Sequence, residues 1–533
     1  MRTTRCVKNF IKEKRMKKQF VSVLLILFIA SFVFAGGAKE SSGASGESGY
    51  RDHFVAAINT MPVTLHPGDN DAPIVNDLVY DELIRYNKVT KEFEPGLAVK
   101  WEWIDDTATA FRMELRQGVK FHNGNPFTAE DVEYTLSNKG ANSNVKSAFD
   151  HAVIIDDYTI EVYLKSGDAD YFSKLSNTLY AGVLNKASVL ADPDSGTAIG
   201  TGPWKYDMKG TLMGDTYKFV RNEDYWGRKP ITKQLTLRYI SSASSRLIAL
   251  QNDEVQAIME PNAADVDKIK NDPRLEYHSG TGVGPAKLYY IGFNMINGKG
   301  AKNIYLRQAI ARAMSRADII ATSGDLNAVE SDGIFWGANT AFKAPASAFK
   351  VDLSYDLDAA RALVKKAEQL NGGPFGKLTI TGNTTKAINM SMCLVVQQAC
   401  KEIGLDVDIE ETDSAGIKAK TDWNNPNFDI IQYNVPLEDW ASAVNRMFLP
   451  FSGNNRALIN DDYVTDLITT AAAITDQAER ARMYQDLQVY IHDNAIYVPA
   501  YYGSRDGAQR KGVEGVVWSN DGYPEFAYAT VRK

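Results

Sequence analysis

The residue types best able to do chemistry are scattered through this sequence. Its six histidines, His53, His66, His122, His151, His278 and His492, never fall at the spacing that lets two imidazoles share a metal ion. No G-x-S-x-G, H-E-x-x-H or G-x-x-x-x-G-K-[ST] occurs, so the signatures of a serine nucleophile elbow, a zinc-protease helix and a phosphate loop are missing. "GTGVG" (Gly280–Gly284) lacks the third glycine and the spacing of a dinucleotide loop and reads as a turn. The acid pairs Asp156-Asp157 and Asp461-Asp462 read as turns or helix caps, and no carboxylate pair selects itself for glycoside hydrolysis. Cys393 and Cys400 lie seven apart in a helical stretch, "KAINMSMCLVVQQACKEIG". That separates them by about 10.5 Å along the axis, beyond the roughly 7 Å between Cα atoms that a disulfide tolerates, so both read as buried apolar residues. No catalytic residue, no metal site and no cofactor is expected.

The elements that would carry a binding site are easier to read. "FRMELRQGVKFHNGNPFTAEDVEYTL" (Phe111–Leu136) joins an alternating strand to a helix through Asn123-Gly124, a pair that tolerates positive φ. Thr128 followed by Asp131 has the reciprocal form of a capping box, with Asp in the Glu position. Each of these features is structural rather than catalytic. Other short alternating runs, "YTIEVYL" and "YKFV", make the first half mostly mixed β structure. The second half alternates differently: "KLTIT" (Lys377–Thr381), a helix over about Lys386–Ile403, and "LDVDIEE" (Leu405–Glu411) compose a βαβ unit with parallel strands. Helices are also expected at "ARALVKKAEQLNGG", with Asp356 or Asp358 at its start and Gly372 at its stop, at "LRQAIARAMSRADIIA" (Leu306–Ala321), and at Gln477–Ala495. Two lobes follow, with the chain crossing from the first to the second once and then returning.

The N-terminus stands apart from the fold. Lys17-Lys18 precede an apolar run of 15 residues, Phe20–Phe34, with small residues at Val33 and Ala35 where signal peptidase needs them. The run is short for a membrane span, which takes about 20 residues. Residues 1–35 read as a Sec signal peptide cleaved near Ala35, with Met16 a candidate true start, and 36–49 as a flexible Gly/Ser linker. No cysteine follows Ala35 until Cys393, so no lipid-anchored cysteine is expected. Without the leader the chain carries 51 basic and 65 acidic side chains, a net of −14, which argues against nucleic acid as a partner.

The order of several segments resembles a known family. "PGLAVKWEW … FRMELRQGVKFHNGNPFTAEDVEYTL", "GTGPWKY … RNEDYWGRKP", "YYIGFNM … LRQAIARAMSR", "YDLDAARALVKKA", "IGLDVDI", "FDIIQYN" and "ERARMYQDLQVYIHDNAIYVP" follow one another as in the extracellular solute-binding proteins of family 5, which serve ABC importers of peptides, nickel and oligosaccharides. The resemblance covers about Tyr50 to Val531. It implies an α/β, two-lobed periplasmic-binding-protein-like fold of type II, in the large cluster with an extra subdomain, with mixed sheets in both lobes and a hinge between. The expected boundaries are lobe I over 50–295, including a β-rich extra subdomain at about 82–190, lobe II over 296–500, and a return to lobe I over 501–533.

The resemblance also implies a periplasmic monomer that passes its ligand to an ABC permease and its ATPase subunits, and that performs no catalysis. Peptide-binding members hold the peptide backbone much as an added strand, with an Asp pairing its α-amino group. Asp439 matches that residue by its position after "FDIIQYN", with Trp440 beside it as a stacking wall. Tyr433 and Asn434 are expected to line the cleft before it, Asp71 and Pro73 to approach from lobe I, and Tyr501 and Tyr502 to cover the ligand at the return crossing. Glu260, with Asn262, follows the "QAIM" strand. The sequence departs from the family where Ser315 and Gln256 stand in place of frequent Asp, and where "PLEDWASA" lacks the Pro found in peptide binders. The alternatives are an oligosaccharide ligand stacked on Trp336, Trp423 and Trp440, a nickel- or haem-type ligand, or, in another class, a secreted hydrolase or chaperone-like protein.

Overall fold

Alternating burial sets the strands. In the computed structural model β1 (His53–Ile58) buries Phe54 and Ala56 beneath a partly exposed Val55, and α1 (Pro73–Val79) follows it. The structure describes residues 49–533 except 63, 65, 68–72, 88–89, 91, 138–142, 280–286, 336–340, 385–386, 438–440 and 519–522. The expected signal peptide and nearly all of the expected linker therefore lie outside the described residues. Among the described residues no helix is long and apolar enough to cross a membrane.

Three sheets organise the chain. After α1 come β2 (Ala98–Trp103), β3 (Ala110–Leu115), helix α2 (Ala129–Leu136), β4 (Phe149–Asp156) and β5 (Thr159–Leu164). These strands form an antiparallel sheet of order β2-β3-β5-β4, packed on one face by Phe111, Phe127, Val132 and Tyr171. The chain continues through β6 (Trp204–Tyr206), β7 (Thr216–Arg221), β8 (Gln234–Tyr239), α3 (Ala243–Gln251), β9 (Ala257–Met259) and β10 (Leu275–His278). Next are β11 (Lys287–Phe293), α4 (Ile304–Ala313), α5 (Arg316–Ser323), β12 (Val329–Glu330), α6 (Leu357–Asn371), β13 (Leu378–Asn383) and α7 (Ala387–Glu402). The last elements are β14 (Val407–Thr412), β15 (Ile430–Pro436), α8 (Asp462–Ala473), α9 (Gln477–Asp493), β16 (Tyr497–Gly503) and β17 (Gly507–Arg510).

A seven-stranded sheet of order β10-β17-β9-β1-β8-β7-β6 gathers strands from both ends of this path, whereas a six-stranded sheet of order β12-β16-β11-β15-β13-β14 lies between them in sequence. The second sheet is covered on both faces. Ile291, Ile380 and Ile430 pack under Leu306, Val364 and Val396, and on the other side Tyr290, Val435 and Tyr497 pack against Ile468, Tyr484 and Leu487. It begins at Lys287 and ends at Gly503, earlier than residue 296 and later than residue 500, because β11 and β16 pair along their whole lengths. The return to the first sheet is therefore confined to Ser504, Arg505 and Asp506.

Local signals account for most boundaries. The Asp356 side chain caps α6 by accepting from Ala359 N at 2.9 Å, and Gly372 closes it with φ +77. β13 and β14 are parallel across α7, as the βαβ pattern requires. The single helix expected over 306–321 is instead two. Met314 turns extended with ψ 104, and Ser315 Oγ accepts from Asp318 N at 3.2 Å, so a serine that interrupts one helix starts the next.

The family-like segments prove to be fasteners between units. Asp131 is buried at the start of α2, accepting from Thr128 N at 3.0 Å and from Lys186 N at 2.9 Å. His122 Nε2–H donates to Gly202 O at 3.0 Å, and Gly200 N donates to Nδ1 at 3.3 Å, tying "FHNGNPF" to "GTGPW". Gly202 is glycine for want of room, since a Cβ there would sit 2.7 Å from Val79 C at the end of α1. Buried Asp81 accepts from Thr201 Oγ1 at 3.0 Å, Tyr225 Oη at 2.8 Å and Trp226 Nε1 at 2.8 Å, which fastens "DYW" to the same place.

Candidate functional site

Open sheets with parallel strands bind ligands beyond the carboxyl ends of those strands. In the first lobe β1, β8 and β9 run parallel and end at Ile58, Tyr239 and Met259. In the second, β13, β14 and β15 run parallel and end at Asn383, Thr412 and Pro436. β11 runs antiparallel to both β15 and β16, which leaves β16 running the same way as β15, so Tyr289 at the start of β11 and Tyr501 near the end of β16 lie at the same end of the sheet as Asn434.

On the first lobe the site centres on Glu260, the residue after β9. Its φ of +42 is a left-handed conformation that a glutamate adopts only under constraint. The constraint is visible: Glu260 N donates to Asp506 O at 2.8 Å, and its carbonyl accepts from Arg246 Nη2 at 2.8 Å. Its carboxylate accepts from Asn59 Nδ2 at 2.8 Å and lies 3.8 Å from Arg505 Nε. Arg505 in turn stacks its guanidinium 4.4 Å from the Tyr523 ring centroid. A strained carboxylate, an asparagine and an arginine thus meet where the chain returns from lobe II.

Polar contacts hold that return in place from both sides. Asp506 accepts from Tyr277 Oη at 2.6 Å, and Asn327 Nδ2 donates to both Asp506 oxygens at 3.0 Å. Ser504 N and Oγ donate to the two oxygens of Asp325 at 2.8 Å. Burial raises the Asp325 carboxyl above the usual carboxylate range, against the pull of the two Ser504 hydrogen bonds.

On the second lobe, register sets a row. Tyr289 stands opposite Asn434 on one side and Tyr501 on the other, so the three side chains share a face across adjacent strands. Tyr289 and Tyr501 stack with centroids 4.5 Å apart and planes 6° from parallel. Tyr433 faces the other way, with the Arg456 guanidinium 5.0 Å from its ring. Gln432 is wholly buried on the Asn434 face, and neither of its amide atoms has a partner among the described residues.

The structure thus gathers Glu260 near the return and Asn434 with Tyr501 in the row, while Tyr433 lies on the opposite face. Tyr502 also points the other way, into the core, where its hydroxyl donates among Asp332 Oδ1, Gly333 O and Phe335 O at 2.9–3.1 Å. Alternation along β16 makes this unavoidable: adjacent tyrosines cannot share a face. Asn262 turns aside, donating to Ser244 Oγ and Asp265 Oδ2 at 3.1 Å. Trp423 packs against Phe451 with centroids 4.8 Å apart and planes tilted by 39°. Asp439, Trp440, Asp71 and Trp336 lie outside the described residues, and Pro73 opens α1. Reading the sequence missed Asn59, Tyr289, Gln432 and Arg505. Only Tyr289 carried a signal, as the first aromatic of an apolar strand next to a crossing. Cys393 and Cys400 are both buried in α7, and burial pushes each thiol up to about 12. Among the described residues no group of three or more His, Cys, Asp or Glu side chains converges as a metal site.

Two open sheets with parallel strands, joined by a short polar return that adjoins their carboxyl ends, define a two-lobed binding protein. The sequence matches the model of bacterial extracellular solute-binding proteins, family 5 (middle region), over residues 92–456, and the chain belongs to that family. It is 26% identical to heme-binding protein A of Haemophilus influenzae, over 92% of this chain and 94% of that one. It is 24% identical to the dipeptide-binding protein of Escherichia coli, over 85% and 89%. The dipeptide-binding protein of Pseudoalteromonas sp. SM9913, solved in complex with Met-Leu, superposes with a TM-score of 0.74 at 19% identity, covering 90% of this chain and all of that one.

Proposed function

We propose that this protein is the periplasmic binding component of an ABC importer, secreted by its leader, which encloses peptides between its lobes and passes them to a membrane permease. The observation that carries the reading is the pairing of a strained, arginine-flanked Glu260 on one lobe with the Asn434–Tyr289–Tyr501 row on the other. Both sit at strand ends where an extended backbone finds polar partners and flat apolar walls. The similarity to a dipeptide-binding protein over most of both chains supports it. In this reading Asp439 neutralises the peptide's α-amino group. Trp440, Asn434 and Trp336 line the lobe II side with Tyr501 behind them, Asp71, Pro73 and Glu260 line the lobe I side, and Tyr433 braces the wall from its opposite face. Tyr502 supports the wall from the core.

Calorimetric titration with tri- to pentapeptides, haemin, Ni²⁺ and cello- and xylo-oligosaccharides tests this directly. Peptides are expected to bind, and Asp439→Ala to weaken them by about 2–5 kcal/mol, thirtyfold or more, because it strands a cation in a closed cleft. Unchanged peptide affinity in that variant removes Asp439 from the site. Haemin binding without peptide binding favours a second reading, which the similarity to a heme-binding protein supports.

A further inference from the structure

The outer edge of β16 is only partly covered. β12 pairs with it at Tyr501 and Tyr502, and Ser331 N reaches Ala500 O at 3.2 Å. Where that cover stops, at Pro499 and Tyr497, a cavity of about 550 Å³ opens between the strand edge, the start of α5, the segment 346–354 and α9. Its size is that of a small-molecule site, which takes roughly 300–1,000 Å³. Its walls are apolar at Phe349, Leu353 and Ile491.

Four polar groups on this cavity, those of Arg316, Glu330, Lys350 and Gln488, are not used up by the fold. Arg316, the first residue of α5, donates from Nε to Pro499 O at 3.0 Å, satisfying an edge carbonyl, and its terminal nitrogens have no acceptor among the described residues. Burial lowers the Arg316 pKa from its ordinary value, with Glu330 acting against it. The Glu330 carboxylate makes no hydrogen bond or ion pair among the described residues. Gln488 is almost wholly buried and its amide orientation is fixed, because Nε2 donates to Phe342 O and, at 3.3 Å, to Tyr484 O. Its Oε1 is therefore left without a donor. Of the other charges, Asp332 pairs with Lys343, Asp352 lies 3.3 Å from Arg312 and His492 Nδ1 lies 3.0 Å from Asp493, while the exposed Lys350 ammonium has no partner among the described residues.

We propose that this cavity is a second ligand site, separate from the strand-end site, for a zwitterion of amino-acid size with an apolar side chain. Its carboxylate sits against the terminal nitrogens of Arg316, its ammonium lies against Glu330, and its side chain lies over Phe349, Leu353 and Ile491. A guanidinium whose terminal nitrogens have no acceptor and a carboxylate with no donor, set on one cavity beside an apolar wall, are answered together by one zwitterion.

The test is titration of the full chain by saturation-transfer NMR with L-leucine, alongside isocaproate, which lacks the ammonium, and isoamylamine, which lacks the carboxylate. Leucine is expected to bind, isocaproate more weakly, and isoamylamine not at all. Arg316→Gln is expected to weaken leucine about tenfold or more. Because Arg316 also braces Pro499, a second variant is placed on the exposed rim: Ala346→Trp fills the mouth from solvent and is expected to abolish binding while leaving peptide affinity at the strand ends unchanged. The proposal is overturned if leucine does not bind up to about 10 mM, if isoamylamine binds as well as leucine, or if binding survives both variants.

Discussion

Asp170→Asn probes how the antiparallel four-stranded unit is fastened to the second lobe. Asp170 follows β5, and its carboxylate pairs with Arg480 in α9, the two side chains being only 5% and 3% exposed. Around them the units close up tightly. Ala169 N donates to Ala472 O at 2.7 Å, a Cβ on Gly167 would stand 2.6 Å from that of Ala473, and the Arg480 guanidinium lies 5.4 Å from the Phe342 ring centroid. Asparagine keeps the size and loses the charge, so a guanidinium is left uncompensated where water hardly reaches. Breaking a buried pair from one side costs about 3–5 kcal/mol. Urea unfolding of the mature protein, followed by circular dichroism, should register a loss of that order. The double variant Asp170→Leu/Arg480→Met removes both charges and is expected to recover most of it, since replacing a whole buried pair by apolar side chains is often neutral or stabilising. A single variant within about 0.5 kcal/mol of the parent, or a double variant as unstable as the two single losses added together, refutes the reasoning.

Two further outcomes follow from particular groups. Burial pulls the His122 pKa from 6.5 down to about 4, so the unfolded chain takes up a proton that the fold refuses between those values. Stability from this site is therefore complete above pH 6.5 and falls as pH drops toward about 4, by up to about 3 kcal/mol, and His122→Gln should flatten that part of the pH profile of unfolding. At Glu260, with φ +42, glycine relieves the backbone and alanine does not, so Glu260→Gly should unfold at higher urea than Glu260→Ala by about 1 kcal/mol. Equal stabilities would mean that the conformation is unstrained.

Much of the frame was legible in the sequence because its cues are local. Asp356 and Gly372 bracket α6 by chemistry that acts within one turn, and the two β periods around α7 require a parallel pair. The helix break at Met314 was missed because the apolar period runs on through it, and only the cap of Ser315 reveals the interruption. The site was less legible because it is made of meetings between distant residues. Nothing near Glu260 in sequence announces Asn59 or Arg505, and Tyr501 and Tyr502 look equivalent until the pleat separates them.

The residues that most resemble the family are, physically, its fasteners. His122, Gly200, Thr201, Gly202, Tyr225 and Trp226 come from three separated stretches and converge on the end of α1 and on Asp81 just beyond it; the start of α1, Pro73, lies next to the lobe I loop expected at the ligand. A shared signature built this way fixes where the lobe I elements stand and is indifferent to what they hold. Relatives named for haem and for dipeptides both align with this chain over most of their lengths, as a scaffold signature would allow. Under the proposed function, ligand choice then falls to residues apart from those fasteners, such as Glu260 and Asn434, where a change of side chain leaves every one of them in place.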